Sequence, residues 1–431
     1  MAIKPKHSLQ LGEIATVQTG PFGSQLHASD YKEHGTPIIT VEHLGDNEIL
    51  HQHLPLVGDS DRRRLVKYSL QAGDIVFTRV GAIDRRSYVS GREAGWLFSG
   101  RLLRVRPLPD VADGKFLSHL LGHHSAIQWI RNHAVGSTMA CLNTSILSAV
   151  PLDLPTLVVQ HRISEVLDTL DDAIRKTEQR IAKLKQVKQG LLSDLLTGGI
   201  DENGELRDST RDPAQFKASS IGMIPKNWTI DRLEEVSSFV TSGSRGWAGY
   251  YSDSGPLFIR IGNLTREHIN LRLESLIHVR PPRSGEGHRT RLEPGDLLIS
   301  ITADLGIIGV VPAGIGEAYV NQHIALVRID SEKATSRWLG HYLAAVPGQK
   351  QIRKLNDSGA KAGLNLPMVR RLVVALPPLP EQNELASRLD SVDECIAGEY
   401  CYARKLHLIK QGLMDDLLVG RSGVTHLTGP A

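Results

Sequence analysis

Two histidine pairs, His51-Gln-His53 and His123-His124, are the side chains of this 431-residue sequence that most invite a metal reading. Neither has a cysteine or carboxylate at zinc spacing, so surface histidines are the expectation and no metal site is assigned. The glycine-rich run Gly306 to Gly316 could imitate a nucleotide loop, but it lacks a lysine and a following helix and reads as β-turns. No G-x-x-x-x-G-K-[ST] loop and no G-x-G-x-x-G opening a βαβ unit is present. The Asn-Pro-Pro-aromatic or Asp-Pro-Pro-aromatic tetrapeptide of amino-methyltransferases is missing too, and Val279-Arg-Pro-Pro-Arg283 is a proline turn. The missing cofactor motifs count against a self-contained enzyme, and no catalytic residue is assigned.

Positive charge points the same way. The net charge is only +3. From Arg62 to Arg106, however, eleven Lys or Arg face three acids, Asp74, Asp84 and Glu93. From Arg260 to Arg291 seven Arg face three Glu. Between these blocks, Gln160 to Gly198 is nearly neutral, with seven basic and six acidic residues. One such block could be a solvated surface, whereas two suit phosphate contacts. Composition is that of a globular protein, 41% hydrophobic and 23% charged. No apolar run suits a signal peptide or membrane span. Cys141, Cys395 and Cys401 form no CxxC pair, so a reduced, cytoplasmic protein is expected.

The elements that must position these groups occur twice. LLSDLLTG at Leu191 and LMDDLLVG at Leu413 stand 222 residues apart. The same offset relates Leu11-Gly-Glu-Ile14 to Leu233-Glu-Glu-Val236, and Leu70-Gln-Ala-Gly-Asp74 to Leu292-Glu-Pro-Gly-Asp296. It also relates Leu142-Asn143 to Leu364-Asn365, Pro155 to Pro377 and Gln160 to Gln382. The chain is thus two copies of one unit, joined near residues 199 to 225. Each copy opens with a mixed α/β part. Short strands are predicted at Thr36–Val41, Gly73–Thr78, Pro256–Ile261 and Ile324–Ile329, and helices at Phe116–His133 and Trp338–Leu355.

A long helix closes each copy. Ile163, Leu167, Leu170, Ile174, Thr177, Ile181, Leu184, Lys188, Leu191 and Leu195 alternate four and three apart, and Leu385 through Leu417 repeat the pattern. That is a coiled-coil seam, entered after Pro155 or Pro380 and stopped at Gly198 or Gly420. At 1.5 Å per residue, Gln160 to Gly198 is about 58 Å long, too long to be covered by one small domain. The two helices should therefore pair with each other, and the chain path makes the pairing antiparallel. Polar seam residues (Thr177, Lys188, Glu399, Lys410) either set register or face a partner. The expected division is 1–155 and 201–377 for two recognition domains with the linker, 156–200 and 378–421 for the helical spacers, and 422–431 for a tail. A pseudo-two-fold frame of this kind matches the two-fold axes of B-DNA, with half-sites that differ because the domains differ.

Several passages resemble the specificity subunits of type I restriction–modification systems. They are Gly136-Ser-Thr-Met-Ala-Cys-Leu-Asn143 through Pro155, Gly363-Leu-Asn365 through Gln382, Ser220-Ile-Gly-Met-Ile-Pro-Lys-Asn-Trp228, and Gly20-Pro-Phe-Gly-Ser-Gln-Leu26. There are two departures. The N-terminal copy lacks the Ile-Pro-x-x-Trp opening, and Val159 stands where the family's Pro-x-x-x-Glu-Gln has Glu. The resemblance implies a non-catalytic subunit of the bacterial or archaeal cytoplasm that reads a bipartite, asymmetric DNA target. It implies two methyltransferase partners that bind S-adenosylmethionine, and two motor/nuclease partners that use ATP and Mg.

It also places base reading in loops of each globular part. Side chains that can read base edges or hold phosphates are Gln25, Tyr31, Arg79, Arg85, Arg86, Ser137 and Thr138 in the first part. In the second they are Arg245, Trp247, Tyr250, Tyr251, Arg260, Thr302 and Lys361. Two rival readings stand beside this one. A self-contained DNA-modifying enzyme is opposed by the missing cofactor motifs, and a non-DNA coiled-coil scaffold is opposed by the basic blocks.

Overall fold

The computed structural model describes residues 9–418, apart from 22–24, 28–29, 137–139, 244, 282–284 and 358–362. The chain divides into two compact units. Unit one comprises Met1–Glu178 with Tyr402–Ala431, and unit two comprises Gln179–Cys401. The long helices, Leu157–Thr197 and Leu379–Leu418, are therefore each shared between the units. Among the described residues no helix is long and apolar enough to cross a membrane.

Each unit is built on the same antiparallel four-stranded sheet. In unit one the strand order is Ala15–Thr19, Leu102–Pro107, Ile75–Thr78, Arg86–Tyr88. In unit two it is Ser237–Ser242, Ile324–Ile329, Leu297–Ser300, Ile308–Val310. The last three strands of each set coincide at the 222-residue offset. The first slips because a β-bulge interrupts the register between Ser237 and Phe239. A smaller sheet with a parallel pair, Ile39 beside Phe98 and Phe258 beside Tyr319, completes each unit.

The turn Leu-x-x-Gly-Asp has a structural use in both copies. Asp74 takes a bidentate pair from Arg106 at 2.7 Å and accepts the Gln71 N–H at 2.8 Å. Asp296 does the same with Arg328 at 2.9 Å and with the Glu293 N–H at 2.7 Å. Each buried carboxylate thus locks a strand entrance to its neighbouring strand.

The stretches predicted as single helices at Phe116–His133 and Trp338–Leu355 are each two. They run Gly114–Leu121 then His124–His133, and Ser336–Ala344 then Val346–Asp357. His123 and Ala345 are extended at the breaks, and the His123 ring accepts the Ser125 N–H as an N-cap. The side-chain periodicity continues across the break, so it alone could not reveal the change of axis.

Three devices fasten each long helix to its unit. The first is a buried glutamine. Gln160 accepts the Asp113 N–H at 2.8 Å and donates to the carbonyls of Val111 and Pro155. Gln382 accepts the Thr335 N–H at 2.8 Å and donates to Pro377.

The second is a buried histidine facing an aspartate. His119 Nε2 lies 2.9 Å from Asp168, which also receives Lys115. His341 Nε2 lies 2.7 Å from Asp390, which also receives Arg337. Burial alone would push the Asp390 carboxyl up, but hydrogen bonds from His341 and Arg337 prevail and hold it down at about 2. A carboxylate depressed below its ordinary 3.8 adds stability above that value and loses it as pH falls through the folded one. Unit two is expected to lose about 1–2 kcal/mol between about pH 4 and pH 2 through this solvent-screened group. Urea unfolding across that window measures the loss, and Asp390→Ala should flatten it.

The third is the helix seam. Within unit two, Lys188 and Asp393 pair at 2.5 Å, and Lys188 also donates to the Glu267 carbonyl at 2.6 Å. Within unit one, Lys410 pairs with Asp171. Lys188 and Lys410 are equivalent in the repeat, as are Asp393 and Asp171, so one ion pair is made twice with the helices exchanged. Glu399 meets Arg180, and Thr177 bonds back to the Ala173 carbonyl at 2.8 Å. The polar seam residues therefore find partners on the long helices, with Lys188 also held by the loop carbonyl of Glu267. Leu195 and Leu196 of LLSDLLTG enter the core of unit two, and Met414 and Leu418 of LMDDLLVG enter that of unit one.

The two departures from the family pattern explain each other. Residues 216–225 form a hairpin that delivers Trp228 to the core of unit two, edge-on to Trp338 at 5.5 Å. Glu381 accepts from Trp228 Nε1 at 3.2 Å, Arg207 Nη1 at 2.6 Å and the Ile200 N–H at 3.1 Å. A Cβ on Gly199, at φ +61°, would sit 2.4 Å from Glu381 Oε1, so only glycine fits there. The first copy has no such opening, and its Val159 occupies the position of Glu381.

Candidate nucleic-acid interface

At one end of each four-stranded sheet the backbone gathers several loops. In unit one, Arg79 N–H donates to the Arg101 carbonyl, Leu142 N–H to Arg79 and Gly81 N–H to Ala140. Gly20 N–H donates to Leu102, and a Cβ on Gly20 would lie 2.1 Å from the Ser99 carbonyl, so only glycine fits at this close approach. In unit two, Ile301 N–H donates to His323, Leu364 N–H to Ile301 and Gly243 N–H to Ile324. A Cβ on Gly243 would lie 2.1 Å from the Val320 carbonyl. The same loop cluster is thus built twice on the same sheet.

Its side chains differ. Unit one presents Arg79, whose Nη1 reaches the Gly100 carbonyl, together with exposed Arg101. Unit two presents Thr302, paired to His323 Nδ1 at 2.6 Å, with Gln322 Nε2 3.1 Å from the other ring nitrogen. Exposed Arg245 follows Gly243. Strain accompanies the second cluster. Ala303 has φ +58° where the equivalent Gly81 has φ +83°, a conformation costly for a residue with a Cβ.

The remaining candidates fall into three groups. Tyr31, Arg85, Tyr250 and Tyr251 are exposed, although Arg85 also donates to the Leu44 carbonyl. Burial and nearby Asp30 push the Tyr31 hydroxyl up, so it stays a donor. Gln25 and Arg260 are half-buried. Gln25 accepts from the Tyr68 hydroxyl at 2.9 Å and from Arg64 through its carbonyl, so its side chain is held within its own unit. Arg86 and Trp247 are interior. Arg86 donates to the Ser118 carbonyl, and burial lowers its pKa. Trp247 stacks on Phe258 at 5.6 Å and 15°, beside Tyr319. Both support the fold of their own unit. Ser137, Thr138 and Lys361 lie outside the described residues.

Sequence reasoning passed over Arg101, Gln322 and His323. Their signal was available: Gly100-Arg101 and Gln322-His323 stand at the same offset, each just before the third matching strand. The basic blocks also shrink on folding. Arg86 and Arg104 are buried, Arg106 is paired to Asp74, Arg266 to Asp304 and Arg272 to Glu267. Of the first block, Arg62, Arg63, Lys67, Arg92 and Arg101 stay exposed, while exposed Arg64 is held by Asp61 and the Gln25 carbonyl and Arg85 by the Leu44 carbonyl.

The chain is thus a duplicated α/β unit with two loop clusters of unlike side chains and two long helices. The chain belongs to the type I restriction modification DNA specificity domain family, whose model matches residues 4–186 and 258–400. It is a type I restriction enzyme specificity subunit, a non-catalytic component. It is 24% identical over 395 residues to a Methanocaldococcus jannaschii chain designated the specificity subunit of the type I restriction enzyme MjaX, covering 90% of this chain and 87% of that one. It is 23% identical over 354 residues to the MjaVIII specificity subunit of the same organism, covering 78% of each. Its fold is similar to that of the S subunit of a type I restriction-modification system from M. genitalium, with a TM-score of 0.62 at 13% identity over 97% of both chains.

Proposed function

We propose that this chain reads a bipartite, asymmetric DNA target, one half-site per unit, and carries two adenine-N6 methyltransferase subunits and two motor/nuclease subunits to it. The observation that carries this reading is the loop cluster built twice on one scaffold with different side chains: Arg79 and Arg101 in one, Thr302 and His323 in the other. Shared backbone geometry allows both clusters to engage a duplex in the same way, and unlike side chains make the half-sites unlike. Exposed arginines of each unit serve phosphates, which position the loops without carrying sequence.

The long helices, of 41 and 40 residues, act as the ruler, at about 60 Å each. Tyr402, Leu408 and Ile409 are exposed on the second helix and offer an apolar face to a partner helix. S-adenosylmethionine then belongs to the methyltransferase partners, and ATP with Mg to the motor partners. Recognition domains at 1–155 and 201–377 and spacers at 156–200 and 378–421 remain the working division.

Methylome sequencing of a host carrying the three genes tests the proposal. We expect N6-methyladenine on opposite strands of one interrupted, non-palindromic motif, lost when this chain is deleted. Four-residue insertions in both helices should change the spacer by about two base pairs or abolish methylation, leaving the half-sites intact. A palindromic motif, or methylation indifferent to the deletion, would refute the reading.

A further inference from the structure

We propose that His123, His124 and Asp415 form a site for a borderline divalent transition metal ion, best matched by Zn2+, which clips the end of the second long helix to the helical pair of unit one. The sequence offers His123-His124 no nearby carboxylate. Folding supplies one from 292 residues downstream. His123 Nε2 and His124 Nδ1 converge on the same Asp415 oxygen, at 2.8 Å and 3.2 Å. The three donor groups lie within 4.8 Å of one another. Zn–N and Zn–O bonds of about 2.0–2.2 Å place tetrahedral donors about 3.3 Å apart, so two edges are already within about half an ångström.

The surroundings suit a ligand set. The His123 ring is buried, and its Nδ1 lies 2.8 Å from Ser125 Oγ. Metal at Nε2 requires the tautomer in which Nδ1–H donates to that hydroxyl, in place of the weak cap in which Nδ1 accepts the Ser125 N–H at 3.4 Å; this is the usual outer-shell arrangement of a ligating histidine. The side chains of His124 and Asp415 are 66% and 33% exposed, which gives the ion an entry path and leaves room for water as a fourth ligand.

A second cluster shows the contrast. His119, Asp168 and Asp171 also gather three possible ligands, but Lys115 and Lys410 already hold the two carboxylates. An ammonium stands there where a metal would compensate charge. The positions equivalent to His123, His124 and Asp415 in the other copy are Ala345, Val346 and Ser193. The site therefore belongs to one copy only, so the duplicated scaffold does not account for it.

The full chain, freed of metal by chelation, is titrated with ZnCl2 by calorimetry and melted with and without Zn2+. One saturable site per chain is expected. The melting temperature of unit one should rise by about 5 °C or more at a hundredfold excess over Kd. Co2+ used in its place should give the visible absorption of a four-coordinate site. His124→Ala, a surface change that leaves metal-free melting as it was, and Asp415→Asn should each weaken Zn2+ at least tenfold and abolish the thermal shift. An unshifted wild-type melt overturns the proposal. So does equal Zn2+ binding by the His124→Ala/Asp415→Asn double variant, which would assign binding to other histidines. Neither readout involves DNA, so failure here leaves the DNA-reading proposal standing.

Discussion

Replacing Glu381 with valine, the residue the first copy carries as Val159, is expected to destabilise unit two by about 3–5 kcal/mol. The carboxylate and its Arg207 partner are each only 9% exposed. The change strands the guanidinium, whose other bond is to the Gly198 carbonyl at 3.2 Å, and removes the acceptor of Trp228 Nε1 and of the Ile200 N–H. An uncompensated buried charge costs more than the ion pair contributed, so removing both partners should be milder. Glu381→Val with Arg207→Leu is expected to recover at least half the loss, and Arg207→Leu alone closes the cycle. Chemical denaturation of the four proteins of the cycle measures this. A valine variant within about 1 kcal/mol of the parent would show that the linker is fastened elsewhere.

The second large effect concerns the seam. Lys188→Met leaves Asp393, 3% exposed, without its ammonium, and Lys410→Met does the same to Asp171 at 21%. Losses of about 3–5 kcal/mol are expected in unit two and of about 1–3 kcal/mol in the wetter site of unit one. Lys188→Met with Asp393→Leu should regain stability while weakening the register, because a leucine seam no longer distinguishes neighbouring heptad alignments. Unfolding midpoints report the first effect. Loss or blurring of the methylated spacer length reports the second. If Lys188→Met melts like the parent, the ion pair is not what sets the pairing.

Much of the scaffold was legible. Leu-x-x-Gly-Asp at 70–74 and 292–296, the seam leucines and Gln160 with Gln382 announced a duplicated unit because backbone and core constraints act on neighbouring residues. The strand Ile324–Ile329 falls where its β-branched run places it. The helices at 116–133 and 338–355 were readable as helical but not as broken, because His123 and Ala345 change direction without interrupting the apolar period. Lys188 and Lys410 were visible as polar intrusions in an apolar seam. Their partners, Asp393 and Asp171, sit off the four–three pattern and could not be paired from spacing.

The candidate site was less legible, for a related reason. Arg79 and Thr302 were chosen for their chemistry and do stand at the loop clusters, and Arg245 is exposed. Arg86 and Trp247 were chosen on the same grounds and are interior. Side-chain type says what a residue can bond to, and only burial says whether solvent or a ligand can reach it. The sequence by itself determined the duplication, the composition of each unit and the helices that close them, because all three rest on periodicity and local backbone preference. The tertiary structure alone decided which arginines remain available after internal pairing. It likewise decided that Glu381 would gather Arg207 and Trp228, and that Asp415 would meet His123 and His124. The last two join groups more than 150 residues apart, through packing that no local pattern encodes.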